Sequence, residues 1–270
     1  MDEFSLKRQF ESIGASLKFQ ALPQLARNRQ GRRLTYLVNV EAGPQGEVFT
    51  FACRPAAREK LVVQGIDIRP REEHLLLLVR LLKQKDRFLC GHDERHWFVA
   101  GLPENGIVRN VLDALEALKP AGVLASLQQE RVPRKYTNRR RNKGFYRQGE
   151  WFFVPRPDFV PEHAAWILHN EPIRRGRSKP HFVEELCRLG GETVYVCEAY
   201  PNGLTEDEYW QMLGRKPHAK AWVWRTLRRN MRVFARGRVR HPDHKTLILP
   251  GWYEVLVSAE RTDERVAFLD

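Results

Sequence analysis

Cysteine is scarce in this sequence. Cys53, Cys90, Cys187 and Cys197 are the only four in 270 residues, and no two form a CxxC pair. A zinc ribbon normally brings its ligands in close pairs, so this spacing argues against that class. Each cysteine sits among apolar neighbours, as Cys90 does after Phe88 and Leu89, which predicts buried, reduced thiols and a cytoplasmic setting. Long apolar runs are also missing. The longest, Leu75–Val79, is far too short to cross a bilayer, so no membrane insertion is expected. The opening MDEFSLKRQF has no apolar core of the kind a secretory signal needs. No dinucleotide-binding glycine fingerprint, P-loop, GxSxG elbow, HExxH or paired-carboxylate motif occurs, which leaves the common nucleotide-dependent and serine-hydrolase classes without support.

Acidic residues are outnumbered, 33 against 46 Lys and Arg, for a formal net charge of +13. Such an excess speaks of partners rather than fold. Much of it is arginine, whose planar fork grips a phosphate in two places. Nucleic acid is the partner this composition favours, with an acidic protein as the alternative; oligomeric state is not encoded in any recognisable pattern.

With 42% apolar residues the chain can bury substantial cores. The pattern predicts an α+β fold in two segments: a β-rich N-terminal domain over 1–130, a basic linker or loop over 131–149, and an α+β C-terminal domain over 150–270. In the first, Phe4–Ile13 reads as a helix, Leu34–Val40 and Glu47–Cys53 as strands about a Gly-Pro-Gln-Gly turn, Lys60–Ile68 as a strand, and Arg87–Cys90 with His96–Ala100 as a hairpin. His74–Leu82 fits a buried strand or a helix equally. Asn110–Leu118 and Ala121–Gln129 read as helices. In the last segment, Trp151–Val154 and Thr193–Cys197 read as strands. Helices are expected over His181–Leu189, closed by Gly190-Gly191, from Thr205 with a capping box to Glu208, and over Ala219–Asn230. Val233–Arg240, Lys245–Leu249 and Trp252–Val257 predict a terminal antiparallel meander.

Three basic concentrations stand out. Arg131–Arg147 carries eight Lys or Arg and no acid, with Arg134, Lys135, Arg139, Arg140, Arg141 and Lys143 interleaved with Tyr136, Phe145 and Tyr146. Cations neutralise phosphate and aromatic rings stack on unpaired bases, so the stretch suits RNA or DNA; the alternative is a solvated charged loop. Arg215–Lys245 holds eleven Lys or Arg and one acid. Arg225, Arg228, Arg229 and Arg232 are spaced for a helix face, while Arg236, Arg238 and Arg240 alternate so as to share one face of a strand. The alternative there is a wet sheet face with acidic neighbours opposite. The loop Arg174, Arg175, Arg177 and Lys179 leads into the expected helix at His181, whose free N–H groups would add an anion site.

His241-Pro242-Asp243-His244 is the candidate catalytic element. On a straight strand positions i and i+3 point to opposite faces, but Pro and Asp between them predict a turn that brings the two imidazoles together with Asp243 between. They could flank one phosphate or one divalent metal, the only cofactor the sequence suggests, and a hydrolytic site would need a third ligand such as His181 or His218. The alternative is an ordinary hairpin turn with exposed histidines. Cys90 and His92 invite a nucleophile pair, but no orienting residue accompanies them, so the tip Gly91–Arg95 reads as merely polar. The sequence thus points first to a nucleic-acid-binding protein. Its rival is a metal-dependent phosphodiesterase or nuclease centred on His241, Asp243 and His244, and a scaffold subunit that meets an acidic protein is the third reading.

Overall fold

The structure, a computed structural model, describes residues 2–23, 26, 33–44, 46–104, 106–175 and 178–261. The first half runs α1 (Glu3–Ser12), β1 (Leu17–Ala21), β2 (Tyr36–Gly43), β3 (Gly46–Cys53), α2 (Pro55–Arg58), β4 (Leu61–Arg69), β5 (His74–Leu81), β6 (Gln84–Asp93), β7 (His96–Gly101) and α3 (Val111–Ala117). The second runs α4 (Ala121–Gln129), β8 (Tyr146–Gln148), β9 (Trp151–Pro155), β10 (Ile167–Ile173), β11 (His181–Leu189), β12 (Glu192–Cys197), β13 (Tyr200–Thr205), α5 (Glu206–Arg215), β14 (Arg225–Arg229), β15 (Arg232–His241) and β16 (His244–Val257). Helix and sheet are mixed, with sheet dominant.

In the first half a three-stranded sheet, β1-β3-β2, and a four-stranded antiparallel meander, β4-β5-β6-β7, enclose a core with α1. The unbroken apolar run of β5 has a direct cause. Leu75, Leu77 and Val79 face that core, while Leu76, on the other side, packs with Leu89 beneath α3. A strand buried on both faces carries no alternation, which is why periodicity alone left it undecided. In the second half a six-stranded sheet, β10-β11-β15-β16-β9-β8, holds one core, and β13-β12-β14 forms a small separate sheet beside α5.

The cores divide between α3 and α4. Val123 and Leu127 of α4 pack with Phe145, Phe152 and Val154 of the second half. The segment after β16 then stitches the halves together: Ala259 N–H donates to the Leu118 carbonyl at 2.9 Å and Arg261 N–H to the Gly101 carbonyl at 2.9 Å. Arg261 also pairs with the buried Asp86.

Three expected elements differ. His181–Leu189 is a strand, not a helix. A bulge between Val183 and Glu185 breaks the period-two alternation, so the buried residues fall at Val183, Leu186 and Cys187, a helix-like spacing produced by one inserted residue. With no helix there, the anion site expected at its N-terminus does not form. Ala219–Asn230 is likewise not a helix: a short 3-10 turn over Pro217–Ala221 leads into strand β14. Trp222 and Trp224, two residues apart, both join the aromatic cluster around α5, as extended chain allows. Arg225, Arg228, Arg229 and Arg232 therefore share no helix face. The expected three-stranded meander is a two-stranded hairpin, because Pro250 and Gly251 lie within the 14-residue β16 rather than in a turn. The register shift between Ala235 and Gly237, with Gly237 at φ +83°, accommodates that irregularity on β15. At the start of α5, Thr205 and Glu208 form the expected capping box. No described helix is long and apolar enough to cross a membrane.

Candidate metal centre

Strand pairing assembles a histidine cluster at one end of the six-stranded sheet. His241 ends β15 and His244 begins β16, and the two-residue turn between them makes them direct cross-strand partners. Residues opposite one another in an antiparallel pair point to the same face. On the far side of β15, Phe182 pairs with Arg240, which places His181, the first residue of β11, alongside His241. The rings of His181 and His241 stack with centroids 4.1 Å apart, His241 and His244 lie 4.8 Å apart, and His181 and His244 5.7 Å. One nitrogen from each ring lies within 4.8 Å of the other two. A tetrahedral zinc ion places its nitrogen ligands ~3.3 Å apart, so the three rings would have to turn and close in to share one.

The electrostatics decide between a cation and an anion at this point. His181 is 1% exposed, and burial, aided by its two histidine neighbours, pushes its pKa down to about 3. Burial also lowers His241 and His244. Three neutral imidazoles offer lone pairs rather than positive charge, which suits a metal and gives a phosphate nothing beyond weak hydrogen bonds. Among the described residues neither ring nitrogen of His181 has a hydrogen-bond partner, an unusual state for a buried polar group.

Carboxylates stand behind two of the rings. Glu94, at the β6–β7 tip, approaches His244 Nδ1 at 3.4 Å, and Asp243 lies 4.0 Å from His241 Nδ1. Neither contact is a hydrogen bond here, but a carboxylate that closed the gap would receive the N–H of a ligating imidazole and fix its tautomer. The Asp243 backbone N–H donates to His241 Nδ1 at 3.2 Å, a bond that ligation through Nε2 would exchange for one to a carboxylate. Lys179 pairs with Asp243 at 2.9 Å; though burial opposes it, that hydrogen bond helps hold the Asp243 carboxyl below its ordinary range. Replacing Glu94 by Gln is expected to weaken metal binding ten- to hundredfold, the usual loss for an outer-shell partner, read by competition with a chromogenic chelator.

The cluster opens into a cavity of about 390 Å³ between the two halves of the molecule. Glu47, Asp93, His96 and Trp97 line it from the first half, and Arg147, Glu150, Arg175, Lys179 and Glu260 from the second. Gly149 closes in on the rings. At its φ of +56° a side chain is strained, and a Cβ there would stand 3.0 Å from His244 Nε2 and 3.6 Å from His181 Nε2. Glu260 pairs with Arg175 at 3.2 Å, while its Oε1 has no partner among the described residues. Burial raises its pKa to about 7, with Arg175 opposing and Glu150 reinforcing the shift.

The other sequence candidates are placed as follows. His218 is exposed, edge-on to Trp222, and takes no part in the cluster. The 131–149 stretch is an ordered loop rather than an open tether: Asn142 accepts from the N–H groups of Gly144 and Phe145, and Phe145 is buried. Within it Arg134, Lys135, Arg139, Arg141 and Lys143 are exposed, Tyr136 and Tyr146 are half-buried, and Arg140 is engaged with Asp93 and Glu94. The row on β15 is largely neutralised: Arg236 pairs with Glu185, Arg238 with Glu184, and Arg240 donates to Asn170. Arg229 pairs with Glu192, Arg228 donates to the Gly190 carbonyl, and Arg225 is exposed. Arg174 adjoins Arg175 at the cavity mouth, and Arg177 lies outside the described residues. Cys90 is fully buried, and desolvation raises its thiol pKa, so it offers no thiolate.

Sequence reasoning missed Glu94, Gly149, Glu150 and Glu260. The first sits in what reads as a polar hairpin tip, and only the folded chain sets it against His244. No family model, no curated protein and no solved structure matches the chain.

Proposed function

We propose that this protein is a metal-dependent hydrolase of phosphodiesters, with His181, His241 and His244 as the metal ligands. The observation that carries the reading is the unpartnered, buried, neutral imidazole of His181 set against two more neutral imidazoles. Three protein ligands with an open position describe a catalytic rather than a structural zinc-type site. Imidazole ligands suit zinc first among the abundant divalent ions.

Such an ion supplies a water ionised near neutral pH and a Lewis acid for the phosphoryl oxygen. Arg147, Arg175 and Lys179 bring cations to the same cavity, Arg175 already paired with Glu260 and Lys179 with Asp243, so an anionic diester would compete with those carboxylates for them. Hydrolysis would form a P–O bond to the oxygen of water, break the ester P–O bond on the opposite side and deliver a proton to the departing alkoxide. Glu260, protonated near neutrality, is the group suited to give that proton. The exposed cations of the 131–147 loop favour a nucleic acid as the natural diester, whereas the ion-paired face of β15 contributes little net charge.

The test is direct. Protein stripped with EDTA is titrated with zinc and manganese, then assayed on bis(p-nitrophenyl) phosphate. One ion per chain and chelator-sensitive release of nitrophenol are expected. A chain that binds neither metal, or hydrolyses equally well in EDTA, overturns the reading.

A further inference from the structure

We propose that the loop over 134–143 is the docking rail for a single-stranded nucleic acid substrate, feeding its backbone into the three-histidine cavity. This rests on the phosphodiesterase reading and names its substrate class.

Charge separates this loop from the rest of the basic surface. Arg232, Arg236 and Arg238 of β15 meet carboxylates, but among the described residues no carboxylate pairs with Arg134, Lys135, Arg139, Arg141 or Lys143. Like charges held close together in a folded loop repel, and an anion laid across them relieves that repulsion. The loop is ordered before any ligand arrives. The Asn142 side chain donates to the Arg139 carbonyl at 3.1 Å and accepts from Gly144 N–H at 2.9 Å, so little ordering entropy is left to lose on binding.

An aromatic element sits among the cations. Arg139 lies over the Tyr136 ring at 4.3 Å and Lys135 at 4.9 Å. A guanidinium plane already stacked on a ring is a surface on which an unpaired base can stack in turn. The loop is also tied to the proposed metal site. Arg140 pairs with Asp93 and Glu94, and Glu94 in turn approaches His244. One carboxylate thus links the rail to the reacting end. A cavity of about 390 Å³ holds a nucleotide-sized unit and excludes a duplex, which selects a single strand.

The experiment measures fluorescence anisotropy of labelled 12-mers of oligo(U) and oligo(dT), and of a 12-base-pair duplex, with EDTA present throughout. Wild-type protein is expected to bind a single strand and to lose about a hundredfold in affinity between 50 and 200 mM salt, as five phosphate contacts imply. Arg134→Glu/Lys135→Glu/Arg139→Glu, all exposed positions, is expected to bind at least tenfold more weakly with a flatter salt slope and an unchanged thermal midpoint. His218→Ala, at an exposed ring outside both the loop and the cavity, is expected to bind like wild type. RNA and DNA arms identify the sugar. No single-strand binding, equal binding by the triple variant, preference for the duplex, or equally tight binding of polyglutamate each overturns the proposal. Because every arm contains chelator, absence of a metal leaves this result standing; conversely, zinc-dependent cleavage of the small diester without oligonucleotide binding sinks the rail alone.

Discussion

His181→Ala is expected to abolish stoichiometric zinc binding and to reduce diester hydrolysis to the uncatalysed rate. Of the three rings, His181 is the most buried and has no partner for either nitrogen. Removing an outer-shell partner costs ten- to hundredfold in metal affinity, and removing a ligand costs more. The readouts are metal content after dialysis against micromolar zinc and hydrolysis at saturating zinc. His218→Ala, altering an exposed ring beside Trp222, is the control and is expected to change neither. Stability separates a ligand from a packing residue. Zinc at a hundred times its dissociation constant stabilises the wild type by about 2.7 kcal/mol, and the variant should lose that increment. Without metal, alanine trades a packed ring for a small cavity but also removes two buried, unsatisfied nitrogens, so the metal-free proteins should differ far less than the loaded ones. A variant that still takes up one zinc ion and turns over at the wild-type rate eliminates the three-histidine site.

How far this site was legible in the sequence depends on which contact is asked about. The pairing of His241 with His244 follows from a local rule, since Pro242 and Asp243 between strand-like runs predict a turn. His181 sits sixty residues earlier, and its segment carries helix-like spacing because a bulge displaces the alternation of β11. The residue could be named as a third ligand by its chemistry, but its position beside His241 comes from strand pairing. Glu94 and Glu260 lie farther still from any sequence signal. Glu94 arrives through contact of the β6–β7 tip with the Arg140 loop, and Glu260 through the return of the segment after β16 to α3. The same distinction holds for the fold. α4, the α5 capping box and the β2–β3 hairpin are written in short-range patterns, and each forms as expected. Arg236, Arg238 and Arg240 share a strand as their alternation implied, and Arg232 joins them there instead of a helix face, yet the partners of Arg238, Arg236 and Arg232, namely Glu184, Glu185 and Glu254, lie on neighbouring strands. Net charge therefore located the basic segments but not which of them stay unpaired.

Acid is expected to weaken the metal-free protein before ordinary carboxylate chemistry sets in. His181 is held near 3 in the folded chain and returns to about 6.5 when unfolded. Above pH 6.5 both states carry the neutral ring and the group contributes nothing to the pH dependence. Between 6.5 and about 3 the unfolded chain binds the extra proton, so stability falls as pH falls, by about 1.4 kcal/mol per pH unit for such a group. His241 and His244, also lowered, add to that loss. Glu260 acts in the opposite direction. Its folded pKa of about 7 exceeds its unfolded value, so from pH 7 down toward 4.5 the folded chain binds the extra proton and gains stability on acidification. One histidine and one glutamate nearly cancel over that range, and the two remaining histidines leave a net loss. Urea unfolding in EDTA at pH 7.0 and 5.0 measures the balance. Wild type should be less stable at pH 5.0, Glu260→Gln should lose distinctly more over the same interval, and His181→Asn should lose less or none. Identical pH dependence in all three would mean that neither buried group titrates as its surroundings require.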